Sequence, residues 1–472
     1  MSTEPKTSRS ILINIVLLVV TVFLASISLA YSQETGVVRS KKIIKLGKGW
    51  ATNTINTVIF RHHGVITASN FQFASFYDSE GNIKIVRRDL LSNEIMEHLL
   101  SGEYNLIDAH NSISMGIDRH GYLHLSFDHH ANKLRYRRSK KPLSIDAWTE
   151  VIQMTNERES QVTYPTFICD GDRKQKRPLL FLYRDGSSNK GDAYIKEFDE
   201  QTTEWKDRSP CILSGSQQKP WTSNAYWNHP VIDHTGRLHL SFVWRTDSPG
   251  SERRVNNINV DYAYSDDSGL TWYSSRGCQF KSPITQVNSE TVWAVSPGSN
   301  LINQASMAVD SKGHPHIVFY SDDPEGIPQY QHLWFDGKSW QHRFISNRNK
   351  RFILTGGGAL QIPISRPEIV VDKQDRVYVI YRGDFTGDKM SVQRLLVPDY
   401  SPDTSELRVL WPEYIEYAEP IIDRVRWSRD GVLTMLIQRN SQPSHDEGGI
   451  PRSEPVYLVD WDIVGDWNNL MD

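Results

Sequence analysis

Two histidines twenty residues apart, His110 and His130, stand with Tyr164 and Arg184 as side-chain types that can move a proton on an acidic ligand. A neutral imidazole or an ionised phenol takes a proton, and the protonated form of either returns one. A guanidinium neutralises a carboxylate and holds the enolate-like charge that develops when the proton beside that carboxylate leaves. Such a set suits β-elimination from a uronic acid, in which that proton is removed and the glycosidic oxygen two carbons away is expelled. No redox cofactor is required. Other chemistries find less support. The chain has no G-x-S-x-G for a serine nucleophile and no H-E-x-x-H for a zinc protease. Glycosidases need two opposed carboxylates, for which Asp108, Asp128 and Asp185 are the nearest acids. Sialidase chemistry needs a Tyr/Glu pair that the sequence does not offer. A glycoside hydrolase on the same scaffold and a glycan-binding protein without catalysis stay open as alternatives.

These residues have to be positioned by a repeated element. The phrase GIDRHGYLHLSFDHH at 116–130 recurs as VIDHTGRLHLSFVWR (231–245), AVDSKGHPHIVFYSD (308–322) and VVDKQDRVYVIYRGD (370–384). Weaker copies lie at 167–186 and 426–439, and FASFYDSEGNIKIVRRD (73–89) marks a first one. Each copy reads as an apolar strand, a turn carrying Asp and usually Gly, and an alternating strand. The spacing is blade-sized, about seven copies fit, and helical repeats are missing, so an all-β, seven-bladed β-propeller is expected. The stretch Ser265–Trp272 fits the S-x-D-x-G-x-T-W Asp-box, a turn device that supports the fold rather than a chemistry.

In a hairpin the start of the first strand and the end of the second lie on the same side. If the hairpins are innermost in their blades, one mouth of the channel collects His110-Asn111, Thr163-Tyr164, Asn228-His229, Asn303-Gln304 and Ser365-Arg366. To these it adds Asp128-His129-His130, Tyr183-Arg184-Asp185, Trp244-Arg245 and Tyr381-Arg382. On position alone, Asn111, His229 and Arg245 are expected substrate contacts. His124, His239 and His316 recur at one fixed strand position and are assigned to blade packing.

The rest of the composition bounds the setting. The 472 residues carry 53 basic and 56 acidic side chains, a net charge of -3, with no long run of Lys or Arg, so a nucleic-acid footprint is not indicated. An acidic polysaccharide, needing only a local cluster of cations, is compatible with that balance, and no stable protein partner is implied. Lys6 and Arg9 precede an apolar stretch, Ile11–Ala30, followed by small residues. Residues 1–32 therefore read as a signal peptide or an uncleaved anchor, and 36–472 as one propeller domain outside the cytoplasm. No Cys follows the apolar run, which argues against a lipoprotein anchor. Cys169, Cys211 and Cys278 leave at least one free thiol and read as buried structural residues.

His110-Asn111 with GIDRHGYLHLSFDHH, TYPTF at 163–167 and YRDGSSNKGD at 183–192 resemble the BNR-repeat propellers that include bacterial ulvan lyases. The likeness runs from about residue 100 to 390. It implies a seven-bladed enzyme cleaving a uronic-acid-containing, sulfated, ulvan-like polysaccharide by β-elimination. By motif, His110 and Tyr164 correspond to the catalytic pair, with base and acid unassigned between them. His130 corresponds to a second histidine near the substrate acid group, and Arg184 to the residue neutralising the carboxylate. The resemblance also leaves room for a structural metal ion, for which His229, His234 and Cys278 are the set to examine. The stretch DGDRKQKRP at 170–178 is longer than a tight turn needs, so the blade carrying Tyr164 and Arg184 is expected to be distorted.

Overall fold

A computed structural model describes residues 36–468 except 170–176, 189, 209, 219–221, 247–254, 304–305 and 445–448. The segment expected to be a signal peptide lies outside the described residues, as does most of the 170–178 stretch. The described strands form seven antiparallel sheets that follow one another round a ring, a seven-bladed β-propeller. The inner strands of their hairpins are Val65–Ala68, Ser114–Ile117, Val162–Ile168, Asn224–Trp227, Ser306–Val309, Glu368–Val371 and Ile421–Ile422 for blades 1 to 7. The ring closes where the early strand Ser40–Trp50 pairs with Ser453–Trp461, so both ends of the propeller share blade 7. Cores form between blades: Phe73 and Tyr77 of blade 1, Leu125 of blade 2 and Phe167 and Phe181 of blade 3 pack in one cluster. Gly116 permits one such approach, since a Cβ there would meet the Phe167 side chain at 2.7 Å.

The recurring Asp shapes the turns as anticipated. Asp118, Asp233, Asp310 and Asp372 each accept the backbone N–H groups two and four residues on, at 2.8–3.0 Å. His124 and His239 lie buried behind these turns. Their Nε2 atoms lie 3.2 and 3.3 Å from Asp118 and Asp233, and their Nδ1 atoms 2.7 Å from the hydroxyls of Tyr136 and Tyr262. His316 instead pairs with His332 at 3.0 Å. The Asp-box closes on itself: Asp267 accepts the Thr271 N–H at 2.9 Å, and Trp272 is buried.

Two of the repeat copies sit differently from the others. The 73–89 phrase joins the second and third strands of blade 1, because the inner turn there is the short Ser69-Asn70 connection with Ser69 in the left-handed region. The 426–439 phrase opens in a helix, Arg424–Asp430, rather than a strand. Asp423 caps it by accepting the Arg426 N–H at 3.0 Å, and Gly431 (φ 69°) ends it. Of the cysteines, Cys169 is buried as expected, whereas Cys211 is partly buried and Cys278 exposed; no disulfide joins them. Among the described residues no helix is long and apolar enough to cross a membrane.

Residues 53–63, outside the repeat, plug the ring. Ile59 N–H donates to Glu419, the Thr57 hydroxyl to Asn440, and Arg61 to the carbonyls of Ile113 and Asn56. Below this plug, buried His62 and His63 meet His229, with ring centroids 4.0 Å (His62–His63) and 4.6 Å (His62–His229) apart, next to the Glu368–Arg424 pair. His62 Nδ1 and both His63 nitrogens lack a hydrogen-bond partner among the described residues. Burial above all, and then neighbouring positive groups, hold His62 well below the ordinary imidazole range and His63 down to about 3. The folded state thus binds fewer protons than the unfolded chain between the unfolded value of 6.5 and about 3, so stability falls as pH drops through that window. Acidifying from about pH 7.5 to about pH 5 is expected to cost about 2 kcal/mol through His63, with His62 adding to the loss in the same direction. Urea midpoints across that range check this. His63→Asn, tolerated at φ 53°, flattens the dependence.

Candidate active site

Asp108 caps the short turn Ala109–Asn111 that leads into blade 2. Its Oδ1 accepts the His110 backbone N–H at 2.9 Å and lies 2.6 Å from His110 Nδ1, while Oδ2 lies 2.5 Å from His130 Nδ1. The two imidazoles stack with centroids 4.1 Å apart and planes 17° from parallel, and Phe60 from the plug lies nearly parallel to His110 at 5.4 Å. Burial pushes the Asp108 carboxyl up, but the hydrogen bonds and charges of the two histidines prevail and hold it well below the usual carboxylate range.

His130 reaches this position because the chain leaves blade 2 before finishing it. Asp128 (φ 65°) and Ala131 (φ 58°) adopt left-handed backbone. The short strand His130–Asn132 then joins the inner edge of blade 3, with His130 opposite Thr163 and the Ala131 N–H donating to the Thr163 hydroxyl at 2.7 Å. Tyr164 follows Thr163 and sits at φ 54°, an unusual conformation for a residue preceding proline. The strand register slips between Thr163 and Thr166, a bulge that re-aims the Tyr164 ring. That ring lies 5.1 Å from Phe60, 5.9 Å from His110 and 5.9 Å from Tyr226. Strain of this kind persists only where the surroundings over-determine it, and it concentrates at functional sites.

Arg184 pairs with Thr163 across the blade 3 hairpin. Only 1% exposed, it lays its guanidinium 4.8 Å from the Tyr164 ring centroid and 5.7 Å from that of Tyr226. Nε donates to the Gly186 carbonyl at 3.2 Å, whereas Nη1 and Nη2 carry no hydrogen bond among the described residues. Arg245, held by Asn257 at 2.6 Å and Asn303 at 3.3 Å, stands 5.0 Å from the Tyr226 ring centroid. Burial pushes the Tyr226 phenol up, but the Arg245 and Arg184 guanidiniums outweigh it and the phenol ends below its ordinary value.

His110, His130, Tyr164, Arg184 and Arg245 therefore line one cavity of about 150 Å³ that opens to solvent. Its far wall is the glycine run Gly356–Gly358 with Arg366 and Glu419. Two expected contacts lie elsewhere. Asn111 is buried and donates to the Asn105 carbonyl at 2.8 Å, and His229 is buried lower down with Nε2 2.6 Å from the Ile59 carbonyl. His229 Nδ1 is 3.1 Å from Glu368 but out of line for a hydrogen bond. Phe60 and Tyr226 line the cavity without having been singled out. Tyr226 lies two residues before the Asn228-His229 pair, so the strand-end pattern passed close to it.

His229, His234 and Cys278 do not form a metal-like group: the first is buried, while the other two are exposed. Among the described residues, Asp108, His110 and His130 form the one group of three whose ligand atoms all lie within 4.8 Å of one another. Their nearly parallel rings set the imidazole nitrogens side by side, whereas an ion needs them convergent. Both Nδ1 atoms already sit at hydrogen-bond distance from the carboxylate, and the arrangement is that of two histidines sharing one acid.

Fold and cavity together define a β-propeller whose mouth gathers histidine, tyrosine and arginine side chains from several blades. A profile of BNR repeat-containing family members matches residues 71–348, more than half of the chain, and the chain belongs to that family. It is 21% identical over 264 residues to an ulvan lyase of Alteromonas sp. (strain LOR), and 24% identical over 265 residues to an ulvan lyase of Nonlabens ulvanivorans. The matches cover 49% and 50% of this chain and 52% and 53% of the relatives, so the chain spans about half the length of the curated relatives it matches. Among solved structures, the polysaccharide lyase Uly1 superposes with a TM-score of 0.61 at 16% identity, over 90% of this chain and 100% of that one. An ulvan lyase bound to -[GlcA(1-4)Rha3S]- superposes with a TM-score of 0.62 at 12% identity, over 87% and 98%. At these identities the likeness establishes the propeller fold.

Proposed function

We infer that the chain is a polysaccharide lyase that cleaves a uronate-containing, sulfated, ulvan-like polysaccharide by β-elimination, outside the cytoplasm after export by its N-terminal segment. The observation that carries this reading is the buried Arg184 edge. Two donors without a hydrogen bond among the described residues lie against Tyr164, in the cavity that His110 and His130 also line. A buried unsatisfied donor costs about 1–3 kcal/mol, more when charged. A substrate carboxylate bound there would recover that loss at the place where charge develops.

The step balances without a cofactor. The C5–H bond breaks and its proton passes to one member of the His110/Tyr164 pair. The electron pair becomes the C4=C5 double bond, and the C4–O bond breaks. The leaving oxygen takes a proton from the other member of the pair and departs as an alcohol. Arg184, with a protonated His130, neutralises the carboxylate through which the charge is delocalised. Arg245 is left to contact a neighbouring sugar.

Hydrolysis is less well served. Among the described lining residues Glu419 is the one acid, and it is bound by Arg366 through Nε at 2.8 Å and by the backbone N–H groups of Ile59 and Arg366. A pair of opposed free carboxylates is not available from these residues, nor is a Glu free to activate a tyrosine. The curated relatives, both ulvan lyases, support the same substrate class.

The test is a panel of acidic polysaccharides that includes ulvan, incubated with protein lacking residues 1–35. A rise in the ultraviolet absorbance of a conjugated uronate on ulvan is the expected result. Reducing ends without that absorbance would favour a hydrolase, and affinity without turnover a glycan-binding propeller.

A further inference from the structure

Asp108 is not among the cavity-lining residues, yet it touches both histidines that are. We propose that Asp108 is a positioning residue that fixes both imidazoles as Nδ1–H donors toward itself and makes the stacked pair share a single additional proton. The inference rests on the lyase reading for its role in turnover, though the hydrogen-bond arrangement can be tested without it.

The argument is geometric. A carboxylate accepts and does not donate, so an Nδ1 at 2.5–2.6 Å from it must carry the hydrogen. In a neutral ring that leaves the lone pair on Nε2, the nitrogen turned away from Asp108. Both rings are thereby held in the tautomer that can accept a proton from a substrate in the cavity. The Asp108 backbone setting supports this, because Oδ1 also accepts the His110 N–H and fixes the carboxylate plane over the turn. Asp108 stays ionised in this environment, so it can offset one imidazolium. It cannot offset two, because the rings lie only 4.1 Å apart and two like charges at that distance oppose each other. One ring is then charged and suited to a substrate carboxylate, while the other is neutral and suited to proton transfer. Among the described residues, the other charged or titratable groups lining the cavity the pair faces are Tyr164 and Arg184 from blade 3, Tyr226 and Arg245 from blade 4, and Tyr417 with the Arg366–Glu419 pair opposite.

Asp108→Asn preserves size but offers one acceptor and one donor. One ring must then present Nδ1 as an acceptor and carry its hydrogen on Nε2, the wrong form for accepting a proton. On the polysaccharide that the wild type cleaves, kcat is expected to fall by up to roughly ten-thousandfold, by analogy with loss of a histidine-orienting Asp elsewhere, with KM little changed. The acid limb of the pH–rate profile moves as well, and Asp108→Glu restores part of kcat. A merely structural role would lower the melting temperature and leave the profile in place.

Imidazole nitrogen NMR on wild-type protein labelled at histidine, assigned with His110→Gln and His130→Gln, reads the arrangement without substrate. Both rings are expected as Nδ1–H tautomers at high pH, taking up the first proton jointly. Either ring found as the Nε2–H tautomer, or the two rings protonating independently, overturns the inference. So does a wild-type pH–rate profile and near-wild-type kcat in Asp108→Asn. If no polysaccharide is cleaved at all, the lyase reading fails while the NMR result still decides the role of Asp108.

Discussion

Tyr164→Phe is expected to lower kcat/KM on the cleaved polysaccharide by roughly a thousandfold, the usual scale for loss of a positioned acid or base. The substitution removes one oxygen and keeps the ring. The contacts with Phe60, Tyr226 and the Arg184 guanidinium all involve the ring, so they survive. Beyond these, at most one hydroxyl interaction is lost, worth about 0.5–1.5 kcal/mol, so the melting temperature should fall only slightly. This separation of activity from stability distinguishes a proton-transferring phenol from a packing residue, for which Phe would be the most neutral replacement. His110→Ala should cost a similar factor. The double variant should be little worse than either single one, because groups that act in one step are strongly non-additive. Steady-state kinetics on the three variants, with thermal unfolding alongside, checks this. Retention of more than about a tenth of wild-type kcat/KM by Tyr164→Phe removes Tyr164 from the mechanism.

The second large effect concerns Arg184, where activity and stability should move in opposite directions. Arg184→Met removes the guanidinium that neutralises the substrate carboxylate, and losing one such preorganised donor set is expected to cost roughly a hundredfold to a thousandfold in kcat. In the free protein the same guanidinium is buried, with one hydrogen bond to Gly186 and two terminal nitrogens without a partner among the described residues. Replacing a poorly paired buried charge by an apolar side chain of similar length is often neutral or stabilising. The melting temperature of Arg184→Met should thus equal or exceed that of the wild type, a residue kept for function against stability. Arg184→Lys should not rescue, since an ammonium cannot reproduce the planar fork that pairs with a carboxylate. A variant that unfolds more easily yet cleaves normally would make Arg184 structural.

The architecture was largely legible because the propeller repeats its turn chemistry. Asp118, Asp233, Asp310 and Asp372 mark equivalent turns, and the hairpin rule then sends His110, His130, Tyr164, Arg184 and Arg245 to the cavity they line. What escaped lies outside the repeat or depends on local irregularity. Phe60 belongs to the 53–63 plug, which crosses the ring and has no counterpart in the other blades. The bulge at Tyr164-Pro165 is a one-residue register slip that period-two alternation cannot reveal. Asn111 follows His110 in sequence, but in a tight turn adjacent side chains diverge, and Asn111 faces inward. Asp108 stood out in the sequence as an acid that a glycosidase could use. Only its two short contacts reveal it as the partner of a histidine pair. The copies at 73–89 and 426–439 kept the turn signal but shifted it to the middle of a blade and to a helix end, because Asp and Gly serve both kinds of turn.

Elimination and hydrolysis differ in whether water enters the product, and that difference tests the central claim most directly. Ulvan digested in heavy-oxygen water and analysed by mass spectrometry should yield fragments whose masses sum to that of the parent chain. No mass of water should be added on cleavage, exchange of the anomeric oxygen at reducing ends aside, and each new non-reducing end should be an unsaturated uronate. Fragments that gain one whole water for every bond cleaved, with saturated non-reducing ends, would contradict the account, making the His110–Tyr164–Arg184 cavity the site of a hydrolase.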